Sequence, residues 1–187
     1  MGEFVEKKLY EIIANVETKE EETVSRRELL ANVAKELASR PLIGNENKYG
    51  PDLEPILKYF PRENPSIGFD WCAAFVYHCC IESGVKLPVR YHEPVSRNFA
   101  WVEAWLEWGQ LYGFYYHISD QSFTPDQGDL IIFDNILGNG LNDHIGVVVK
   151  IEQDKIITAE GNYYNKSGVF QRTRDQINGF IRIADTY

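Results

Sequence analysis

Positive charge is in short supply in this 187-residue chain: 19 Lys and Arg face 28 Asp and Glu, for a net charge of -9 at pH 7. A non-specific nucleic-acid binder needs the opposite balance, because its affinity comes from cations that displace the counterions of the phosphate backbone. DNA and RNA are therefore not expected partners. Sulfur is scarce too, with one Met and three Cys. Three cysteines cannot all pair, and the neighbours Cys79 and Cys80 have the wrong geometry for a mutual disulfide, so no disulfide framework is expected. A zinc site needs about four ligands at suitable spacing, and beyond His78 no second Cys/His pair exists to supply them. No metal and no cofactor is expected. Long apolar runs are also missing. Nothing approaches the roughly 18 residues of a membrane span, and the opening MGEFVEKKLYE lacks the basic-then-apolar plan of a signal peptide. The expectation is a soluble chain without a visible export signal, its compartment left open.

What is present is apolar and aromatic material, 44% and 13% of the residues, enough for one core. Phe4, Leu9, Ile12, Ile13 and Val16 recur at helical spacing before the charged ETKEEET, which predicts a short amphipathic helix and a solvated link. Residues 1–24 are thus read as a helical extension or an expression-derived segment, ahead of one domain over 25–187. Ser25 with Glu28 makes a capping box, and Leu29, Leu30, Val33, Ala34 and Leu37 form a stripe, predicting a helix over 26–39 that stops before Pro41. The Pro- and Gly-rich stretch that follows predicts a long irregular segment.

DWCAAFVYHCCIESG then predicts a helix of about a dozen residues, capped by Asp70 and stopped at Gly84. SRNFAWVEAWLEWG predicts another, ended by Gly109, with Trp101, Trp105 and Trp108 as a packing stripe. After TPDQGD come LIIFDN, HIGVVVKIE, KIITAEGN, VFQRTRD and INGFIRIA, β-branched runs separated by short polar turns. Helices first and an antiparallel meander afterwards make the fold α+β. LGNGLND, between two of these strands, is a flexible connection and a candidate lid.

Chemistry enters with the cysteines. If Asp70 caps its helix, Cys72 lies in the first turn, where free backbone N–H groups and the positive end of the macrodipole favour a thiolate. Cys79 and Cys80 lie two turns deeper and read as small apolar core residues. His144 opens a strand whose alternate residues Ile145, Val147, Val149 and Ile151 are apolar, so His144 points to the other face. A three-residue turn at Glu152-Gln153-Asp154 would set Ile157 against Val149, Ala159 against Val147 and Asn162 opposite His144, with Glu160 on the diagonal. Glu160 or Asn162 would then accept the Nδ1 proton and leave Nε2 to take a proton from a thiol.

With WCAAFV around Cys72, GDLIIF at 128–133, DHIGVVV around His144 and ITAEGN carrying Glu160 and Asn162, in that order, the chain resembles the CHAP family. These are cysteine- and histidine-dependent amidohydrolases/peptidases, papain-like relatives of the NlpC-type cell-wall peptidases. The resemblance implies a papain-like fold, with a nucleophile-bearing helix packed on an antiparallel sheet or half-barrel. It implies Cys72 as nucleophile, His144 as base and then acid, Glu160 as the orienting group and Asn162 as a supporting polar residue. Trp71 and Asp70, next to the nucleophile, are expected to meet the substrate. Some members bind calcium through an acidic loop before the cysteine and an acid two residues after it; Ala74 holds that second place, so no metal is expected. The implied substrate is peptidoglycan, cut at the N-acetylmuramoyl–L-alanine amide or within the stem or cross-bridge peptide by a monomer. Two alternatives stand beside it: a papain-like peptidase, acyltransferase or antibacterial effector on a non-wall substrate, and a non-catalytic wall-binding domain.

Overall fold

The computed structural model describes residues 24–138, 140–153 and 155–187, so the amphipathic helix expected over residues 3–16 lies outside the described residues. Helix α1 runs over Arg26–Ser39, and the Ser25 hydroxyl accepts the Glu28 N–H at 3.2 Å, as its N-cap. Its inward face is Leu30, Ala31, Ala34 and Ala38. Leu29, expected in the stripe, is 42% exposed. The face is turned toward alanines because α1 is wedged against a second helix and the sheet, and small side chains permit that close approach.

The irregular segment holds a 3-10 turn at Pro51–Leu53 that runs into a short helix, α2 (Glu54–Leu57), which buries Ile56 and Leu57. Helix α3 (Cys72–Glu82) has no polar stripe, and every residue from Cys72 to Cys80 is buried. A helix apolar all round belongs at the centre of a fold, and α3 is enclosed by α1, α2 and strands of the sheet. Cys79 and Cys80 are fully buried core residues, as expected. Helix α4 (Val102–Leu111) starts later than predicted and continues through Gly109. That glycine does not stop the helix: a Cβ there would press on Ile181 and Tyr115 at 3.1–3.3 Å, so its role is close packing.

Among the described residues the six strands are β1 (Tyr115–His117), β2 (Leu130–Phe133), β3 (His144–Glu152), β4 (Lys155–Tyr163), β5 (Lys166–Arg172) and β6 (Ile177–Ile181). All pair antiparallel, in the order β1-β6-β2-β3-β4-β5. The fold is α+β, as the sequence indicates, but the sheet is not a simple meander. Strands β2 to β5 follow one another, whereas β6 crosses back to lie between β2 and the unpredicted β1. The main core lies between the helices and one sheet face, and a smaller cluster around Phe133, Val148 and Phe180 covers the other.

The β3–β4 register holds by a different route from the one expected. The ladder closes at Glu152↔Lys155, a tighter connection than three residues, and Ile157 faces Lys150 rather than Val149. A bulge between Val148 and Lys150 absorbs the difference, so Val147↔Ala159 and Gly146↔Glu160 pair as the apolar matching requires. Without it, the shorter turn would turn the side chains of one strand to the wrong face.

Candidate active site

Cys72 is the first residue of α3. The N-cap is Trp71, not Asp70, and no side chain caps this end. Asp70 sits one residue too early; its carboxylate instead accepts Lys48 Nζ at 2.6 Å and Asn162 Nδ2 at 3.0 Å. Burial alone would push the Asp70 carboxyl up, but these two donors hold it below its ordinary value. The first-turn N–H groups at Cys72 are left without a side-chain acceptor, at the end of the helix where an anion is most stabilised. The neighbouring tryptophan, expected to meet the substrate, does not line the cleft. Trp71 is fully buried, its Nε1 donating to Asn165 Oδ1 at 3.3 Å, and its ring lies against Gly161, where any Cβ would meet Trp71 and Phe75 at under 3 Å. The tryptophan that borders the cleft is Trp101, half exposed and held by the Arg97 guanidinium 4.1 Å from its ring centroid. Trp105 and Trp108 are buried, as expected of a packing stripe.

His144 opens β3 at the end of the sheet where β2 and β4 finish. Its ring is fully buried, with Phe133 and Tyr163 alongside at centroid distances of 5.9 and 6.1 Å. Glu160 reaches it across the hairpin because Gly146 stands opposite: a Cβ there would lie 2.7 Å from Glu160 Cγ. The contact runs from Nε2 to Glu160 Oε2 at 2.9 Å. This reverses the expected use of the two ring nitrogens. Nδ1 is buried without a hydrogen-bond partner among the described residues, and Cys72 is among the groups that raise the ring's pKa. The β3–β4 ladder ends at Gly146↔Glu160, short of the expected pairing of His144 with Asn162. Asn162 takes φ 60°, where the strand register shifts, and turns its amide to Asp70.

Glu160 is more deeply held than the sequence reading anticipated. Its Oε1 accepts from Thr158 Oγ1 at 2.5 Å and Arg172 Nε at 2.9 Å, and its Oε2 accepts from Arg172 Nη2 at 2.6 Å as well as facing His144. Burial pushes this carboxyl up, but His144 and Arg172 outweigh it and bring it down to about 2. Burial likewise pushes the imidazole down, and the Cys72 sulfur with the Glu160 carboxylate holds it up at about 10. Arg172 was not picked out beforehand. Its signal was present in strand alternation, which puts Phe170 and Arg172 on one face of β5, and the guanidinium indeed lies 4.8 Å from the Phe170 ring centroid.

Cys72, Asp70 and Asn162 line a cleft of about 720 Å³. Trp101 and Leu141 give it apolar walls, Glu46 and Glu103 bring carboxylates, and Lys48 is tied to Asp70. Leu141, 73% exposed, belongs to the connection before His144 that the sequence marks as a candidate lid. His92 and His117 are exposed and stand apart from the cleft lining. Among the described residues there is no group of three or more His, Cys, Asp or Glu arranged to hold a metal ion, and no helix long and apolar enough to cross a membrane.

A family model, that of the CHAP domain, matches residues 64–162, a span that holds Cys72, His144, Glu160 and Asn162. No curated protein and no solved structure matches the chain.

Proposed function

The chain belongs to the CHAP-domain family, named for cysteine- and histidine-dependent amidohydrolases/peptidases, and on that premise we propose that it hydrolyses an amide bond of peptidoglycan from a papain-like site. One observation carries the reading: a cysteine at an uncapped helix start borders an open cleft and acts on a buried imidazole, whose other nitrogen is held by an ionised carboxylate.

In this reading Cys72 is the nucleophile, His144 the proton carrier, Glu160 the group that orients it, and Asn162, held by Asp70, a polar wall beside the sulfur. The Cys72 thiolate attacks the carbonyl carbon, a C–S bond forms, and the carbonyl electron pair moves onto oxygen, which the Cys72 backbone N–H meets at the helix start. The tetrahedral intermediate collapses as the Nδ1 proton of His144 passes to the leaving amine, giving a thioester. Nδ1 then takes a proton from water, whose oxygen attacks the thioester; the C–S bond breaks and the thiolate–imidazolium pair is restored.

Mass spectrometry of products from purified peptidoglycan tests the function. A new N-terminal L-alanine identifies the N-acetylmuramoyl–L-alanine amidase, and a new end within the stem or cross-bridge identifies an endopeptidase. No wall product, together with turnover of other amides, overturns the wall reading in favour of a papain-like enzyme on a non-wall substrate. A net charge of -9 and the carboxylates of Glu46 and Glu103 in the cleft lend weight to that second reading, because anionic wall polymers do not attract such a surface.

Thiol reactivity checks the nucleophile separately. Cys79 and Cys80 are fully buried, and burial pushes both thiols up. Iodoacetamide on the native protein is expected to label Cys72 far faster than either, read by peptide mapping. Equal labelling of all three would refute a tuned thiolate.

A further inference from the structure

The set of cysteine, histidine, acid and amide carried by the family resemblance leaves Arg172 without a role. We propose that Arg172 is a positioning residue: by clamping both oxygens of Glu160 it holds the carboxylate ionised and aimed at His144, and through that ring it governs how readily Cys72 is kept as a thiolate. The inference rests on the assignment of Cys72 and His144 made above.

The geometry is that of a fork. Arg172 Nε takes Oε1 at 2.9 Å and Nη2 takes Oε2 at 2.6 Å, a bidentate pairing that fixes the carboxylate plane in a way a point charge cannot. The terminal torsion of a glutamate is otherwise broad. With both oxygens clamped and Thr158 on Oε1, what remains of Oε2 is directed at His144 Nε2. The clamp is itself held. The guanidinium lies 4.4 Å from the Tyr163 ring centroid, 4.8 Å from Phe170 and 5.6 Å from Phe133, and the side chain is only 13% exposed. Phe133 and Tyr163 are also the rings beside His144, so imidazole and guanidinium share one aromatic wall.

The charged and polar groups that meet at Glu160 come from every element around it: His144 on β3, Arg172 on β5 and the Thr158 hydroxyl on its own strand, with the Tyr163 ring against Arg172 and Cys72 of α3 raising the pKa of His144. Arg172 is the one permanent cation among them. A purely structural staple between β4 and β5 would make the same contacts but would not tune the thiol, and the two roles separate in experiment.

The measurement is the second-order rate of Cys72 alkylation by iodoacetamide across the acid and neutral range, for the wild type, Arg172→Met, Arg172→Lys, Glu160→Gln and the Arg172→Met/Glu160→Gln double variant, each checked for folding by circular dichroism. No substrate is needed. Arg172→Met is expected to move the acid limb up by about one pH unit or more, the size of a lost opposite-charge partner. At a fixed pH on that limb its rate should therefore fall about tenfold or more, one unit being one factor of ten. Arg172→Lys keeps the limb near its wild-type place and loses less. Adding Arg172→Met to Glu160→Gln should change the rate by less than about twofold, since a group acting only through Glu160 has nothing left to act on. An unmoved limb with only a lower melting temperature, or a full further loss in the double variant, overturns the proposal. If Arg172→Met does not fold, Arg172→Lys alone and on Glu160→Gln decides by the same non-additivity. A wild type in which Cys72 reacts no faster than Cys79 and Cys80 overturns the nucleophile assignment, and the Arg172 proposal with it, an outcome distinct from a tuned Cys72 that ignores Arg172.

Discussion

Cys72→Ala is expected to abolish amide hydrolysis, by about 10⁴-fold or more, while the protein folds as before. The size follows from the chemistry: with no sulfur there is no acyl-enzyme, and His144 alone must recruit water that the site does not position. The small structural cost follows from the position. Cys72 opens α3 at the wall of the cleft, where removing one sulfur enlarges an existing opening rather than leaving a sealed void. Far-UV circular dichroism and the melting temperature should stay near wild type, while product release from peptidoglycan drops to background. Cys79→Ala offers the contrast, because that side chain is fully buried in the core: it should lower the melting temperature and leave turnover of the folded enzyme intact. Turnover retained by Cys72→Ala would end the nucleophile assignment.

How much of this site could be read beforehand depended on whether the information was local. The alternation that puts Glu160 on the face of His144 and the burial of Cys79 and Cys80 follow from spacing within single elements, and the structure agrees with both, while α3 starts one residue later than an Asp70 cap would set it. The bulge was hidden because Val147, Val148 and Val149 are all apolar; a run without alternation carries no mark of where a residue is inserted. Which ring nitrogen meets the acid depends on the ring's rotation between Phe133 and Tyr163, a tertiary matter. Trp71 and Trp101 make the point most clearly. Both are N-cap residues of helices, and nothing local separates them, yet one is sealed against Gly161 and the other stands at the cleft. Strand β1 is only three residues long, too short to show a period, and the return of β6 beside it is decided by pairing across more than sixty positions of sequence. Arg172 escaped for the same reason: its partner is on another strand, and an arginine near a chain's surface strands is ordinarily a solvated one.

Glu160→Gln should have the largest effect on stability, and its pH dependence identifies the cause. Glutamine keeps the shape but replaces one acceptor oxygen with an NH₂ donor, which faces an Arg172 N–H in either orientation and His144 Nε2 as well in one of them. It also leaves the largely buried guanidinium of Arg172 without its counter-charge, a loss of about 3–5 kcal/mol when one partner of a buried pair is removed. In the wild type the carboxyl falls from 4.5 to about 2 on folding. A depressed acid contributes stability that is complete above its unfolded value and is lost as the pH falls through the folded one, here from about 4.5 down toward about 2. The imidazole moves the other way, from 6.5 to about 10, so its contribution is complete below 6.5 and is lost as the pH rises toward about 10. Both are fully present only between about 4.5 and 6.5, and the wild-type melting temperature should form a plateau there and fall on either side. In Glu160→Gln the plateau should be lower and the acid arm shallower, because the group that titrates is gone. The alkaline arm should weaken as well, since the ring has lost one of the two partners that raise it. Melting curves of both proteins across the pH range decide this: a variant with the wild-type acid arm would place the titrating carboxylate elsewhere, and Asp70, whose carboxyl Lys48 and Asn162 hold below its ordinary value, would be the next to replace.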